Sequence, residues 1–367
     1  METSKIKDVI AYLESLAPRA YQESYDNSGL ITGNPEEIVT GVLITLDCTE
    51  KVLEEAARLQ CNFVIAHHPI LFKGLKSLTG SSYVERTIIS GIKNDIAIYA
   101  VHTNLDNVSI GVNKKIADTI GLTQTRVLIP QIGTLSKLVT FIPTQNQEKV
   151  IAALYDAGAG QMGNYTYCSF QVKGIGTFQP GQNASPHIGK PGQTEQVEET
   201  RVEVIFPTHK QDILLSALRQ AHPYEEVAYY VTALANENQE VGAGMIGELL
   251  TPEEPLSFLM RLKVAMNTPV IRHTAILKKP IRKVAVCGGA GSFLLPAAIA
   301  KGADAFISAD FKYHQFFDAE DKILVADLGH YESEQFTKEL LLEFLSKKFT
   351  TFACHFSKTV TNPISYL

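Results

Sequence analysis

Three stretches of the chain are almost entirely apolar and rich in β-branched residues, and segments with helical spacing separate them. The three stretches are GVLITLD (41–47), NFVIAHHP (62–69) and DIAIYAVHTNLD (95–106). Near-continuous apolar runs are typical of strands buried on both faces of a parallel sheet, because a half-exposed strand would alternate polar and apolar residues. Residues 49–59 and 112–122 predict the connecting helices, the first with Thr49 as its N-cap. This order predicts an α/β fold with a mostly parallel sheet and helices on both faces.

The same pattern returns near the end of the chain. RKVAVCGGAG (282–291), an alanine-rich helix, DAFISAD (304–310) and KILVADLGH (322–330) follow one another. Residues 42–68 and 284–310 share a strand–helix–strand layout at a single offset along the chain. We therefore predict a pseudo-repeat, in which two similar α/β halves form one metal-binding domain.

The middle of the chain has a different order of predicted elements. Between residues 130 and 240 the pattern is β-α-β-β-α-β, which is the ferredoxin-like order. Residues 236–249, which are rich in Gly and Glu, are interpreted as the linker back to the second half. The predicted domains are therefore 1–129 (first half), 130–240 (an inserted ferredoxin-like α+β domain) and 241–367 (second half).

Potential metal ligands follow three of the predicted strands. In open parallel sheets functional groups gather beyond the carboxyl ends of the strands, so these side chains are expected to lie close together. Two of the segments have the spacing H-x-x-x-[D/E], which places both side chains on one face if a helix starts there. The predicted ligands are His67, His68, Asp106, His330 and Glu334, with His102 as a further ligand or as a residue that orients one.

The predicted donor set combines imidazole with carboxylate and contains no thiolate. Such a set suits zinc or iron, and also manganese, cobalt or nickel, and it leaves room for water as catalytic sites do. A carboxylate such as Glu334 can bridge two ions, so two divalent metal ions per chain are predicted. The glycine-rich turn CGGAGS (287–292) is either a phosphate-binding turn or a tight strand-to-helix connection. The other six histidines are interpreted as structural or surface residues.

Charge and cysteine content narrow the classes of protein that this chain can represent. The formal net charge is −6, which argues against a nucleic-acid binder, since a phosphate-tracking surface needs a basic excess. The five cysteines include no C-x-x-C pair, which favours a reducing compartment. The amphipathic, acidic N-terminal segment is not typical of a signal peptide, and no apolar run is long enough for a membrane span. A cytoplasmic protein without a membrane partner is expected.

Several longer motifs resemble one known family. AHHPILFKGLKSL, AVHTNLDNVSIGVN, ISADFKYHQ, LGHYESE and the opening YDNSGLITG resemble the NIF-three-like family, whose members are often labelled GTP cyclohydrolase I type 2 homologues. The resemblance covers residues 1–128 and 245–367, and the insert is similar to the PII-like (CutA-like) domain of long bacterial members. It implies two α/β halves around a dinuclear metal site with ligands at the five positions above. It also implies assembly into a toroidal homohexamer.

Three functions are compatible with these observations. The first is a metal-dependent hydrolase that acts on a phosphoester or a nucleotide such as GTP, because a pair of dications suits anionic oxygens. The second is a non-enzymatic, metal-responsive regulatory or scaffold protein whose ions stabilise assembly and whose insert is a binding module. A small anionic ligand is a possible partner of the protein. The third is metal storage or delivery. Metal content and turnover by the purified protein distinguish them.

Overall fold

The computed structural model describes residues 3–367 and divides the chain into two compact units. The first unit contains the chain up to Ile129 together with Glu240–Leu367, and the second is Pro130–Gln239. Each unit has its own hydrophobic core. No helix of the described chain combines the length and the apolar character that crossing a bilayer requires.

The described residues form fifteen strands and eleven α-helices. The strands are β1 (Gly29–Thr32), β2 (Gly41–Asp47), β3 (Phe63–His68), β4 (Ala97–Ala100), β5 (Leu122–Gln131), β6 (Leu135–Pro143), β7 (Phe170–Phe178), β8 (Glu195–Pro207), β9 (Tyr229–Ala233), β10 (Asn238–Glu253), β11 (Arg272–His273), β12 (Ile281–Ala290), β13 (Ala305–Ala309), β14 (Leu324–Asp327) and β15 (Ala353–Phe356). The helices are α1 (Ile6–Leu16), α2 (Glu50–Arg58), α3 (Tyr83–Lys93), α4 (Thr103–Asp106), α5 (Val112–Thr119), α6 (Gln147–Asp156), α7 (Gln211–Ala221), α8 (Pro255–Ala265), α9 (Leu295–Ala300), α10 (His330–Glu334) and α11 (Thr337–Lys348).

The predicted parallel strands of the first unit lie in two sheets. One sheet has the order β1-β4-β3-β2-β15, in which β1 is antiparallel and the other neighbours are parallel. The other has the order β11-β14-β13-β12-β10-β5, with β12, β13 and β14 parallel. Residues of both sheets share one core with α1, α5, α8 and α11. Helices α2 and α3 pack on the opposite face of the first sheet and α9 on that of the second.

The strand registers of the two sheets agree with the offset seen in the sequence. Val42 pairs with Phe63 between β2 and β3, and Val284 pairs with Ala305 between β12 and β13. Both members of the second pair lie 242 residues after those of the first (284 − 42 and 305 − 63). In the first sheet β4 pairs with the short antiparallel edge strand β1, and in the second β14 pairs with the short antiparallel edge strand β11.

The interpretation of residues 236–249 as a linker is wrong, because residues 238–249 belong to the long strand β10, which pairs with β12. Their glycines suggest a loop but instead allow close strand contact. A Cβ on Gly242 would lie 2.1 Å from the carbonyl oxygen of Ile129 in β5. Helix α3 and strand β5 were not predicted. The segment YTYCSFQVKG (165–174) has the composition of a strand, but β7 begins only at Phe170.

The second unit has the element order β6-α6-β7-β8-α7-β9 and one antiparallel sheet with the order β7-β8-β6-β9. Side chains alternate across this sheet. On β8, Val202, Val204 and Phe206 are buried in a core with α6 and α7. Glu199 and Arg201 therefore point to the opposite face.

Candidate metal centre

The six predicted side chains lie at the carboxyl ends of three parallel strands. His67 and His68 end β3, and His102 and Asp106 follow β4 in the short helix α4, of which His102 is the N-cap. His330 and Glu334 are the first and last residues of α10, which follows β14. Both H-x-x-x-[D/E] segments therefore form the expected helical turns.

The two adjacent histidines of β3 are held by different acceptors. His67 is fully buried, and its Nδ1 lies 2.9 Å from the carbonyl oxygen of Val101. Because a carbonyl can only accept, that Nδ1 carries the proton and Nε2 keeps its lone pair. Burial lowers the pKa of His67, so this ring is a neutral donor. The Nδ1 of His68 lies 2.8 Å from Oδ1 of Asp47 at the end of β2.

The histidines of the two helical turns are oriented in the same way. The Nδ1 of His102 lies 2.8 Å from Oδ1 of Asp26, and that of His330 lies 2.7 Å from Oδ2 of Asp310. Asp26 also accepts from the backbone N–H of Thr103. All four imidazoles thus have Nδ1 fixed by an oxygen acceptor, which leaves Nε2 for a metal. Metal-binding histidines almost always have such a partner.

The ligand atoms form three overlapping groups, in each of which they lie within 4.8 Å of one another. The groups are His67–His68–His102, His68–His330–Glu334 and His67–Asp106–Glu334. Oε2 of Glu334 lies 2.9 Å from Nε2 of His68 and 3.2 Å from Nε2 of His330. Nε2 of His67 and Oδ1 of Asp106 are buried and have no hydrogen-bond partner in the described chain. Buried polar atoms without partners are costly, so this donor set fits a cation.

The pKa shifts within the cluster indicate that its buried carboxylates require a nearby positive charge. Burial would lower the pKa of His68, but hydrogen bonds to Asp47 and Glu334 raise it to about 10. The pKa of His330 is raised to about 9, against the effect of burial, mainly by Glu334. Burial, followed by Glu334, raises the pKa of Asp106 well above its usual range. Burial would also raise the pKa of Glu334, but the surrounding imidazoles hold this pKa well below its usual range. Protons and a metal ion are therefore alternative counter-charges here.

The glycine-rich segment at the end of β12 packs against the candidate ligand Glu334, and the amides of its glycines are not free. The N–H groups of Gly288, Gly289 and Gly291 donate to Oδ1 of Asn113, Oγ of Ser333 and Oγ of Ser308, respectively. Gly289 has a φ of +60°, and a Cβ there would lie 2.4 Å from Oε1 of Glu334. Because these amides are occupied, the phosphate-binding interpretation of the turn is wrong, and the glycines instead admit the Glu334 carboxylate.

A cavity of about 780 Å³ opens onto the cluster. Its lining includes the metal-binding candidates His68, His102, Asp106, His330 and Glu334. Exposed aromatic side chains, Tyr25, Phe72 and Phe293, also line it. The volume is within the range of small-molecule sites.

The sequence did not predict that Asp26, Asp47 and Asp310 orient histidines of this cluster. It indicated Asp310 only together with Ser308 and His314, as a possible nucleophile set. Asp47 and Asp310 directly end or follow the parallel strands β2 and β13, so the strand-end argument that identified the histidines also applies to them. Asp26 lies in the turn-rich YDNSGL segment, where the presence of an aspartate does not by itself indicate that it orients a histidine. In the described chain, the other six histidines do not enter the groups of potential ligands.

Comparisons with known proteins agree with this architecture. The model of the Duf34/NIF3 (NGG1p interacting factor 3) family matches residues 4–363. A Halalkalibacterium halodurans protein named GTP cyclohydrolase 1 type 2 homolog is 38% identical over all of both chains, and one of that name from Bacillus subtilis is 36% identical over 98% of each. The crystal structure of a Bacillus cereus protein related to NIF3 is 37% identical and covers all of both chains with a TM-score of 0.88.

Proposed function

The chain belongs to the Duf34/NIF3 family, and from this premise we propose that it is a dinuclear metal protein that hydrolyses a phosphoester or a nucleotide. The observation that carries the proposal is the pair of buried, unpartnered ligand atoms, Nε2 of His67 and Oδ1 of Asp106, within overlapping groups of donors. Two ions fit this set better than one, because the five side chains that would hold them offer more donors than a single tetrahedral site uses.

Five side chains would hold the ions: His67, His68, Asp106, His330 and Glu334. The nitrogen and oxygen donors favour zinc or iron, and also suit manganese, cobalt or nickel. Cys287 lines the same cavity, but burial raises the pKa of its thiol, so it offers no thiolate. A pair of bound divalent ions supplies Lewis acidity, which makes a coordinated water acidic and neutralises anionic oxygens of the substrate.

The remaining polar residues of the site orient these groups and handle protons. Asp47 and Asp310 fix the rings of His68 and His330, so that both Nε2 atoms face Glu334. The Asp26–His102 pair lies at the edge of the cluster and lines the cavity through His102, where it can accept and return a proton. The cavity size selects small substrates over folded macromolecules.

We further propose that the metal-binding unit is a pseudo-repeat of two α/β halves interrupted by a ferredoxin-like, PII-like insert. The equal 242-residue offset of the β2–β3 and β12–β13 registers supports the repeat. The β-α-β-β-α-β order and the sheet order β7-β8-β6-β9 support the assignment of the insert. In this proposal the chain assembles into a toroidal homohexamer in the cytoplasm, whose repeated identical contacts close a ring.

The alternative is a metal-responsive regulatory or scaffold protein without catalysis. It is favoured by the second unit, which has its own core and its own cavity. In this alternative the ions stabilise the first unit, and the insert responds to a ligand.

Elemental analysis followed by activity assays tests the proposal. Protein purified without chelator should contain about two transition-metal ions per chain. It should also hydrolyse at least one member of a panel of phosphomonoesters, phosphodiesters and nucleoside triphosphates including GTP, whereas the chelator-treated protein should not. Metal-replete protein without turnover on the panel would support the regulatory alternative. Metal-free protein that does not take up these ions on dialysis would contradict the metal centre itself.

A further inference from the structure

The second unit contains a cavity of about 660 Å³ on the face of its sheet opposite α6 and α7. Strands β7 and β8 form its floor, and part of the segment 179–193 covers it. The N–H of Ser185 donates to Oε1 of Glu225 at 2.8 Å, which fastens this segment, and within the segment Nε2 of Gln179 donates to the carbonyl of Gly192 at 3.1 Å. The proposed hydrolase function uses none of these residues.

A buried carboxylate lies in this cavity. Glu199 is only 8% exposed, although it is on the sheet face away from the helices. Gly176 on the neighbouring β7 makes room for it, since a Cβ there would lie 2.1 Å from its Oε2. The phenol of Tyr224 is its neighbour, and burial followed by Glu199 raises the pKa of Tyr224.

The carboxylate has no cationic partner among the ion pairs of the described chain. Three side chains that can carry positive charge line the cavity, and none forms an ion pair with Glu199. Lys173 is exposed, Arg201 forms an ion pair of 2.8 Å with Glu203, and the ring of His187 lies against that of Tyr224 with centroids 6.3 Å apart. A buried carboxylate without a positive partner is costly, so its presence here indicates a site for a cation.

Aromatic rings provide the walls of the cavity. Phe178 and Tyr224 meet edge to face with ring centroids 5.7 Å apart, and Phe141 and Tyr230 do so at 5.9 Å. The ring faces of such side chains attract a cation, and a cage of this kind suits an alkylated ammonium group that is too weakly hydrated to remain in water. The cavity is also larger than a single metal ion needs.

We propose that this cavity binds a small organic cation, with its ammonium group beside Glu199 and between the aromatic rings. The carboxylate supplies the counter-charge, and the rings replace the hydration shell. Glu225 and Glu226, which also line the cavity, add negative charge to it. A metal ion would use the carboxylate alone, whereas an organic cation uses both features.

Isothermal titration of the full-length protein with choline and with 3,3-dimethylbutan-1-ol, its uncharged isostere, tests the proposal. Choline should bind one site per chain at least ten-fold more tightly than the alcohol, because only the charged ligand uses Glu199. The E199Q variant should lose at least ten-fold in choline affinity. The matched control is E198Q, which changes the adjacent, exposed residue of the same strand and should bind as the unaltered protein does.

Equal binding of choline and the alcohol, or no binding of choline at 10 mM (roughly the limit of useful affinity), would overturn the proposal. The proposal would also be overturned if inorganic phosphate bound more tightly than choline and the R201Q variant lost this phosphate binding, since the site would then prefer anions. If E199Q does not fold, the comparison of choline with its isostere on the unaltered protein decides alone. None of these measurements depends on the metal centre or on hydrolysis.

Discussion

Glu55 of α2 is expected to be one of the largest single electrostatic contributions to the stability of the first unit. Its carboxylate is buried and accepts four hydrogen bonds from the segment after β15. The donors are Oγ of Ser357 (2.6 Å), the N–H of Lys358 (2.9 Å), and the N–H and Oγ1 of Thr359 (3.2 and 2.7 Å). Two residues further on, Thr361 donates to Asp47, which orients His68. The carboxylate therefore fastens a segment that reaches the metal centre.

The magnitude of this contribution follows from the pKa of Glu55. Burial would raise this pKa, but the hydrogen bonds outweigh burial and lower it from 4.5 to about 2. Each factor of ten in the acid constant is worth about 1.4 kcal/mol, so the ionised form stabilises the fold by about 3 kcal/mol. Because the folded-state pKa is the lower one, this stability is fully present above about pH 4.5 and is lost as the pH falls towards 2. About 1.4 kcal/mol should remain at pH 3.

Urea unfolding of the Glu55→Gln variant checks this reasoning, because glutamine resembles the protonated acid. Far-UV circular dichroism, with both proteins in chelator so that metal loss affects them equally, should give a difference in unfolding free energy of about 3 kcal/mol at pH 7. This difference should shrink to about 0.4 kcal/mol at pH 2. Glu54→Gln, on the exposed side of the same helix, should change the free energy by less than about 0.5 kcal/mol. A pH-independent difference for Glu55→Gln would refute the reasoning, since it would indicate lost packing instead of lost charge.

Four further predictions concern the metal centre and the assembly. His68→Ala and Glu334→Gln should each lose at least one metal ion in elemental analysis, and unchanged content in either variant would contradict the ligand assignment. Gly289→Ala should weaken metal affinity at least ten-fold, because its Cβ would displace Glu334. Gly121 has a similar positive φ but open space around it, so Gly121→Ala should leave the affinity unchanged. Equal effects of the two variants would show that backbone strain, and not displacement of Glu334, weakens metal binding. Replacing residues 130–239 by a short Gly/Ser linker should leave a folded, metal-replete protein, and an unfolded or metal-free product would show that the first unit requires the second. Light scattering should give a mass near six times 40.3 kDa, and a monomer at micromolar concentration would refute the ring.

Local patterns in the sequence were sufficient for the strands and helices that carry the metal centre. The run GVLITLD forms β2, and Thr49 caps α2 by accepting from the N–H of Val52. The spacing of His330 and Glu334 likewise predicted the turn α10. These features depend on side-chain periodicity and on hydrogen bonds between near neighbours in sequence, and both can be read from a short segment.

Other features depend on contacts between distant segments, and the sequence did not predict them. Residues 236–249 appeared to be a linker because glycines usually mark loops, yet β10 uses Gly242 for close contact with β5. The glycine-rich segment at the end of β12 was compatible in sequence with a phosphate site, yet its amides donate to side chains of other elements. In both cases glycine permits close approach, and only the folded chain determines what approaches.

The candidate metal centre likewise combines features that a short segment predicts with features that depend on distant segments. The sequence by itself determined which donors the chain offers at three strand ends, because residue type and spacing fix the chemistry. Tertiary structure alone decided which oxygen fixes each imidazole: Asp26 holds His102 from 76 residues away, and Asp47 holds His68 from 21. It also decided that Oε2 of Glu334 lies within 2.9 Å of a histidine 266 residues distant. Strand pairing and sheet packing bring these groups together, and neither is encoded in the spacing of any one segment.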